Sequence, residues 1–174
     1  MPDHRVEFIT KWYKRGVAEG DPFDQFFSLW ISLIVAAARW GTLQGRSAYD
    51  QTDRDKVIQY LAGHKESAAI ILNSSPQVRD LARRAGSIRR NPILDTGSQD
   101  LRKKLQRFAD HYANRLNLED AELVETLGEI LNKVRNNVFH GIKIYDDRDD
   151  VRVLKLVNPI LREILQACEP DIDD

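Results

Sequence analysis

The residues best suited to chemistry stand together in the segment KVRNNVFHGIKI, residues 133–144. A guanidinium pairs with phosphate oxygens through parallel hydrogen bonds and keeps its charge at neutral pH. An imidazole takes up or releases a proton near pH 7, and a carboxamide can orient a neighbouring group or a substrate oxygen. The combination of Arg135, Asn136 and His140 therefore suits the cleavage of a phosphodiester.

The helix that carries these residues decides where they point. Apolar residues recur at spacings of three and four and predict a helix over 117–140, which Gly141 is placed to end. At about 100° per residue, Asn136 and His140 lie opposite the apolar face and close enough to touch. This leaves two interpretations, a solvated helix end or a second surface for a ligand or another chain. The aromatic Phe139 on that outer side favours the second.

A continuous helix would direct Arg135 and His140 about 140° apart. The two groups can meet at one phosphate only if the helix breaks between them, or if a two-fold dimer brings paired sets together across a groove. We favour the homodimer.

A second basic segment is RDLARRAGSIRRNP, residues 79–92. It is either a strip that holds an RNA backbone or a solvated helix face that runs into a loop, and both interpretations stay open. With Lys143, which lies just past the motif, and Asn137 within it, the predicted substrate-binding residues are Asn137, Lys143, Arg83, Arg84, Arg89 and Arg90.

Net charge, cysteine count and histidine spacing limit the kinds of site that the chain can contain. The 174 residues carry a net charge of −1, so a nucleic-acid site must be a local patch. The single cysteine, Cys168, excludes an internal disulfide and favours a reducing, cytoplasmic location. His4, His64 and His111 lack neighbours at metal-ligand spacing, so we expect no metal and no cofactor.

Helical periodicity predicts an all-α fold, a single-domain bundle of about five to seven helices over 1–168. Within it, 86–100 is predicted to be an extended loop, and 169–174 an acidic, frayed tail. The apolar run 26–40 is interrupted by serines and is shorter than a membrane span needs, so it is predicted to be a buried core helix. Further helices are predicted from Pro22, over 52–62, over 65–85 with a break at 73–76, from Leu101, and in a last helix that contains Pro159.

The motif Arg135-Asn136-Asn137-Val138-Phe139-His140 resembles the R-x(4–6)-H pattern of the HEPN superfamily. The flanking VRNNVFHGIK, the aspartate-rich turn into a leucine-rich last helix, and the early DPFDQFFSLWISL are similar to its Apea-like branch. The resemblance covers most of the chain, but 41–100 matches no feature of the family.

The resemblance implies a helical homodimer that cleaves RNA without metal, through attack of the ribose 2′-OH on the adjacent phosphate. His140 would be the general acid/base, Arg135 would stabilise the transition state, and Asn136 would orient the histidine or the RNA. It further implies a toxin or defence effector, with a separately encoded antitoxin of nucleotidyltransferase type. Because the family has inactive members, a non-catalytic module that binds a nucleotide, RNA or a protein is the alternative. A purely structural dimerisation domain is a third.

Overall fold

The chain folds as eight helices, and no strand, within the residues that the computed structural model describes, which are 3–47, 50–85, 97–139 and 148–173. The predicted all-α, single-domain bundle is confirmed. There is one helix more than the largest number expected, because the N-terminal segment also forms a helix. The helices are α1 (His4–Ala18), α2 (Pro22–Leu43), α3 (Asp53–Gly63), α4 (Lys65–Ser74), α5 (Pro76–Ala85), α6 (Gln99–Tyr112), α7 (Asp120–Phe139) and α8 (Arg148–Cys168).

Short polar side chains define where several helices begin. Asp21 accepts hydrogen bonds from the backbone N–H groups of Phe23 and Asp24, directly before the proline that starts α2. Ser98 accepts one from the N–H of Leu101, so α6 begins two residues earlier than its apolar pattern predicts. The predicted break between α4 and α5 is confirmed, and it falls at Ser75.

Helix α2 is the central element of the bundle and packs against α1, α3 and α8. By length and composition alone it could also cross a membrane, but 44% of its most apolar window is buried within the protein. Phe26, Leu29 and Leu33 are fully buried. Packing on three sides explains why this helix is apolar nearly all round.

Helices α3 and α7 pack as an antiparallel pair, and this pair positions the candidate site. At the centre of the contact, a Cβ added to Gly128 would lie 2.7 Å from Cγ1 of Ile58. The missing side chain lets the two helices approach closely. The start of α3 then lies beside the end of α7, where the Arg135 guanidinium reaches Asp53.

Helix α8 runs without interruption through Pro159. The preceding residue, Asn158, is fully buried and donates from Nδ2 to the Pro22 carbonyl oxygen and to Oε1 of Gln25, at 2.9 Å each. These bonds fix α8 against the first turn of α2, at a point where proline removes one bond of the helix itself.

The expected frayed tail is wrong for residues 169–173. Ile172 is buried with 2% of its surface exposed. Glu169 accepts a 2.7 Å hydrogen bond from the Tyr60 hydroxyl. One apolar residue and one buried hydroxyl hold the segment against the core, which an acidic composition does not reveal.

Candidate active site at the end of α7

Arg135 lies on the last turns of α7 with its guanidinium held from two sides. Nη1 donates to Oδ1 of Asn136 at 2.9 Å, and Nη2 donates to Oδ2 of Asp53 at 3.2 Å. Only 28% of the side chain is exposed. Nε is buried and has no acceptor among the described residues. A guanidinium has five N–H donors in a rigid fork, so the outer N–H groups of Nη1 and Nη2 remain for a substrate.

Asp53 is shared between two cations, one of which is Arg135. Asp53 contacts both the Arg135 guanidinium and the Lys56 ammonium, at 3.2 Å and 3.8 Å. One carboxylate therefore faces two cations, and the three side chains together keep one net positive charge. Such a cluster attracts a phosphate while the shared carboxylate limits repulsion between the two cations.

A second ion pair fixes α3 against α7 next to this cluster. Arg54 donates from Nε to Oε2 of Glu129 at 2.8 Å and from Nη2 to Oε1 of the same carboxylate. This hydrogen bonding from Arg54 holds the pKa of Glu129 below its usual range. Each helix supplies the arginine of one ion pair and the carboxylate of the other. The helix that carries Asp53 is therefore held in register with the helix that carries Arg135.

Four aromatic rings, three of them exposed and one half-buried, form a stripe that ends at Arg135. The aromatic stripe consists of Phe8, Trp12, Phe27 and Phe139. Successive ring centroids are 6.0, 6.0 and 5.3 Å apart, and the last two rings are stacked. The three phenylalanines are each about two-fifths exposed, at 42%, 41% and 39%.

Cations lie over two rings of the aromatic stripe. Cζ of Arg135 lies 5.2 Å from the centroid of the Phe139 ring, and Cζ of Arg15 lies 5.1 Å from that of Trp12. A contiguous exposed aromatic surface with charged edges is typical of an interaction site. Because the stripe draws on α1, α2 and α7, the sequence segments that form it are far apart in the chain.

Four of the predicted site residues lie outside the described residues, as does the predicted cap Gly141. They are His140, Lys143, Arg89 and Arg90. Helix α7 is continuous through Phe139, so it does not break between Arg135 and that residue. Of the two arrangements that would join Arg135 and His140, a break within 135–139 is therefore excluded.

Asn137, which is predicted to bind substrate, is buried in this structure, with 5% of its surface exposed. It lies on the inner side of α7, on the same face as Val134. Its neighbour Asn136 is half-buried and contacts Arg135.

Arg83 and Arg84 lie on α5, which packs against α6 and α8, whereas α7 packs chiefly against α3, α4 and α6. Arg83 pairs with Asp80 at 2.9 Å. The groove that both arginines line is bounded by α8 and not by α7. They therefore form a basic surface separate from the one around Arg135.

Sequence reasoning missed Asp53, because an acidic residue in the first turn of a helix is already explained by the helix dipole. It also missed Phe27, which had the appearance of one more apolar residue in a core helix. A helical wheel of α2 could have raised the question of whether Phe27 faces solvent, because consecutive helical residues point about 100° apart. In the structure Phe27 is exposed, whereas its neighbours Phe26 and Ser28 are buried.

Cys168 offers no alternative nucleophile. It is buried, and burial raises the pKa of its thiol to about 12. Within the described ranges, no group of three or more His, Cys, Asp or Glu side chains could hold a metal ion.

No protein-family model, no curated protein and no solved structure matches this chain. Inference about its function therefore depends on the geometry around Arg135 and on the sequence motif that contains it.

Proposed function

We propose that the chain is a metal-independent endoribonuclease of the HEPN type. The observation that carries the proposal is the Arg135 guanidinium, held by Asn136 and Asp53 beside the exposed ring of Phe139. A cation fixed in this way needs little reorganisation when negative charge develops on a phosphorane-like transition state.

In the proposed reaction the ribose 2′-OH attacks the adjacent phosphorus. The new 2′-O–P bond forms as the P–O5′ bond breaks, which leaves a 2′,3′-cyclic phosphate and a 5′-hydroxyl. His140 takes the proton from the 2′-OH and supplies a proton to the leaving oxygen. Arg135 binds the phosphate oxygens. Because Oδ1 of Asn136 already accepts from Arg135, we assign to Asn136 the orientation of the guanidinium.

The proposed enzyme is a homodimer that associates through the aromatic stripe. Three phenylalanines that are each two-fifths exposed form one contiguous apolar surface that a second copy of the chain could cover. The stripe ends at Arg135, so two copies joined through it would carry their arginines at the edge of one shared surface. This arrangement supplies the second set of groups that a single continuous helix lacks.

The biological role is proposed from the motif. A metal-independent RNA-cleaving homodimer of this type is a toxin or defence effector in the cytoplasm, held in check by an antitoxin protein of nucleotidyltransferase type.

A second candidate function is a non-catalytic module that binds a nucleotide, RNA or a partner protein. It is favoured by the Asp53 carboxylate, 3.2 Å from Arg135, which offsets part of the charge that a transition state would use. In this case Arg135 contributes to binding only.

The test compares two oligonucleotide substrates of the same base sequence in EDTA. One is an all-ribose oligonucleotide, and the other carries 2′-deoxyribose throughout. We expect the wild-type protein to cleave only the all-ribose oligonucleotide and to produce 2′,3′-cyclic phosphate ends. We expect the His140→Ala variant to cleave neither substrate. Binding of both oligonucleotides without cleavage would support the non-catalytic module. Cleavage of the deoxy substrate, or cleavage that EDTA abolishes, would refute the proposed chemistry.

A further inference from the structure

A groove between α5 and α8 is lined mostly by cations. We call it the basic groove, and its volume is about 570 Å³. Its lining side chains are Asp80, Arg83, Arg84, Arg152, Lys155 and Leu156. Four of the six are basic and one is acidic, on a chain whose net charge is −1. This concentration of positive charge is therefore local and does not follow from the overall composition.

The packing of the two helices directs these cations outward. Both helices bury one apolar face each, and the basic residues occupy the positions between. The buried positions are Val78, Leu81, Ala82 and Ala85 on α5, and Val153, Leu154 and Val157 on the adjoining part of α8. Since each helix is fixed by its apolar face, the cations of one wall stay opposite those of the other.

Two of the four cations are already paired along their own helix. Arg83 contacts Asp80 at 2.9 Å, and Arg152 contacts Asp149 at 3.2 Å. Surface pairs of this kind contribute little and exchange readily with other anions.

The other two cations are the ones available to a ligand. Within the part of the chain that the structure describes, Arg84 and Lys155 make no ion pair. They lie on opposite walls, one on α5 and one on α8. An anion in the groove can therefore contact an unpaired charge on each side.

We propose that the basic groove binds the sugar–phosphate backbone of RNA at a position separate from the Arg135 site. This inference deepens the proposed function, on which its choice of ligand rests. A guanidinium grips two phosphate oxygens at once, and an ammonium adds a point charge. Leu156 is the only apolar residue among the six that line the groove, so it offers little to the apolar side chains of an acidic polypeptide. Repeated phosphates fit it better.

The test measures binding without cleavage. The probe is a fluorescent single-stranded RNA of roughly 20 nucleotides, methylated at every 2′ oxygen, so that no 2′-OH can attack. The variant Arg84→Gln/Lys155→Gln removes one charge from each wall. The control, Lys103→Gln/Arg115→Gln, removes two exposed charges at and just beyond α6. Circular dichroism melting checks that all three proteins fold alike.

Each phosphate neutralised on a single strand contributes about 0.7 to the slope of log affinity against log salt. We therefore expect the slope of the groove variant to be smaller by about 1.4, and the control to keep the wild-type slope. Between about 50 and 200 mM salt, the wild type then loses about seven-fold more affinity than the groove variant.

Equal slopes for the wild type and the groove variant would overturn the proposal, as would an equal change in the control. Binding of a polyglutamate peptide that depends on Arg84 and Lys155, with the RNA slope unchanged, would overturn it in favour of an acidic protein partner. Because the probe cannot be cleaved, this binding result is independent of the nuclease assay. A protein that does not cleave RNA can still bind it through the basic groove, and a protein that does not use the groove can still cleave RNA.

Discussion

Replacing Phe27 by alanine should separate the proposed dimer. Phe27 lies in the middle of the aromatic stripe, 6.0 Å from Trp12 and 5.3 Å from Phe139 between ring centroids. Its ring is part of the exposed surface of α2 and not of the core, so the substitution should leave the protomer folded. The dimer, in contrast, loses the same contact twice because a two-fold interface uses each residue on both sides.

The exposed area of Phe27 sets the expected loss of dimer affinity. Phe27 is 41% exposed, which for a side chain of about 200 Å² corresponds to about 80 Å² that a partner can cover. At about 25 cal/mol per Å², this area contributes about 2 kcal/mol per protomer and about 4 kcal/mol per dimer. Since alanine keeps part of that area, we expect the Kd of the dimer to rise between about 100-fold and 1,000-fold.

Sedimentation velocity over a dilution series measures this Kd. The matched control is Ile70→Ala, because Ile70 is 67% exposed on α4 and lies outside the stripe. We expect the control to keep the wild-type Kd. The reasoning is refuted if the wild type is a monomer at micromolar concentration, or if the two substitutions weaken association equally.

Three further predictions concern the α3–α7 pair. Asp53→Asn should leave RNA affinity unchanged or raise it, because Arg135 loses the opposing charge 3.2 Å away. The same substitution should lower the cleavage rate constant about ten-fold, because the guanidinium loses its orientation. Single-turnover kinetics separate the two effects, and a loss of RNA affinity would contradict this prediction. Gly128→Val should destabilise the fold by about 1–3 kcal/mol, since even a Cβ would lie 2.7 Å from Ile58, and an unchanged urea midpoint would refute it. Glu129 has a pKa below that of the unfolded chain, so its ion pair stabilises the fold above about pH 4.3 and the benefit is lost as pH falls through the folded pKa. Glu129→Gln should thus lower the free energy of unfolding by about 1–3 kcal/mol at pH 7 and by progressively less below pH 4.3, measured by urea denaturation at each pH, whereas a deficit that stays the same in acid would argue against the pair.

Local patterns were sufficient to predict most of the helices. Three features depend on residues a few positions apart: the N-cap and first-turn proline of α2, the break between α4 and α5, and the apolar face of α7. Helix α1 was missed because part of its apolar content faces outward. Phe8 and Trp12 belong to the aromatic stripe, so they blur the contrast between a buried and a solvated face.

The contacts that build the site could not be predicted in the same way. Asp53 and Arg135 are 82 positions apart and meet only because α3 and α7 pack antiparallel. Periodicity gives the buried face of each helix but not the helix it packs against. The same limit hid the basic groove, since Arg84 was recognised as part of a basic segment while Lys155, on its opposite wall, belongs to another helix.

The most direct test of the central claim is the single-turnover cleavage rate of an all-ribose oligonucleotide in EDTA, compared between the wild type and Arg135→Ala. The matched control is Arg107→Ala, which removes a guanidinium paired with Glu122 at 2.8 Å on another part of the surface. We predict a loss of at least about 100-fold for Arg135→Ala, with wild-type folding, and an unchanged rate for the control. Cleavage by Arg135→Ala at the wild-type rate would contradict the account.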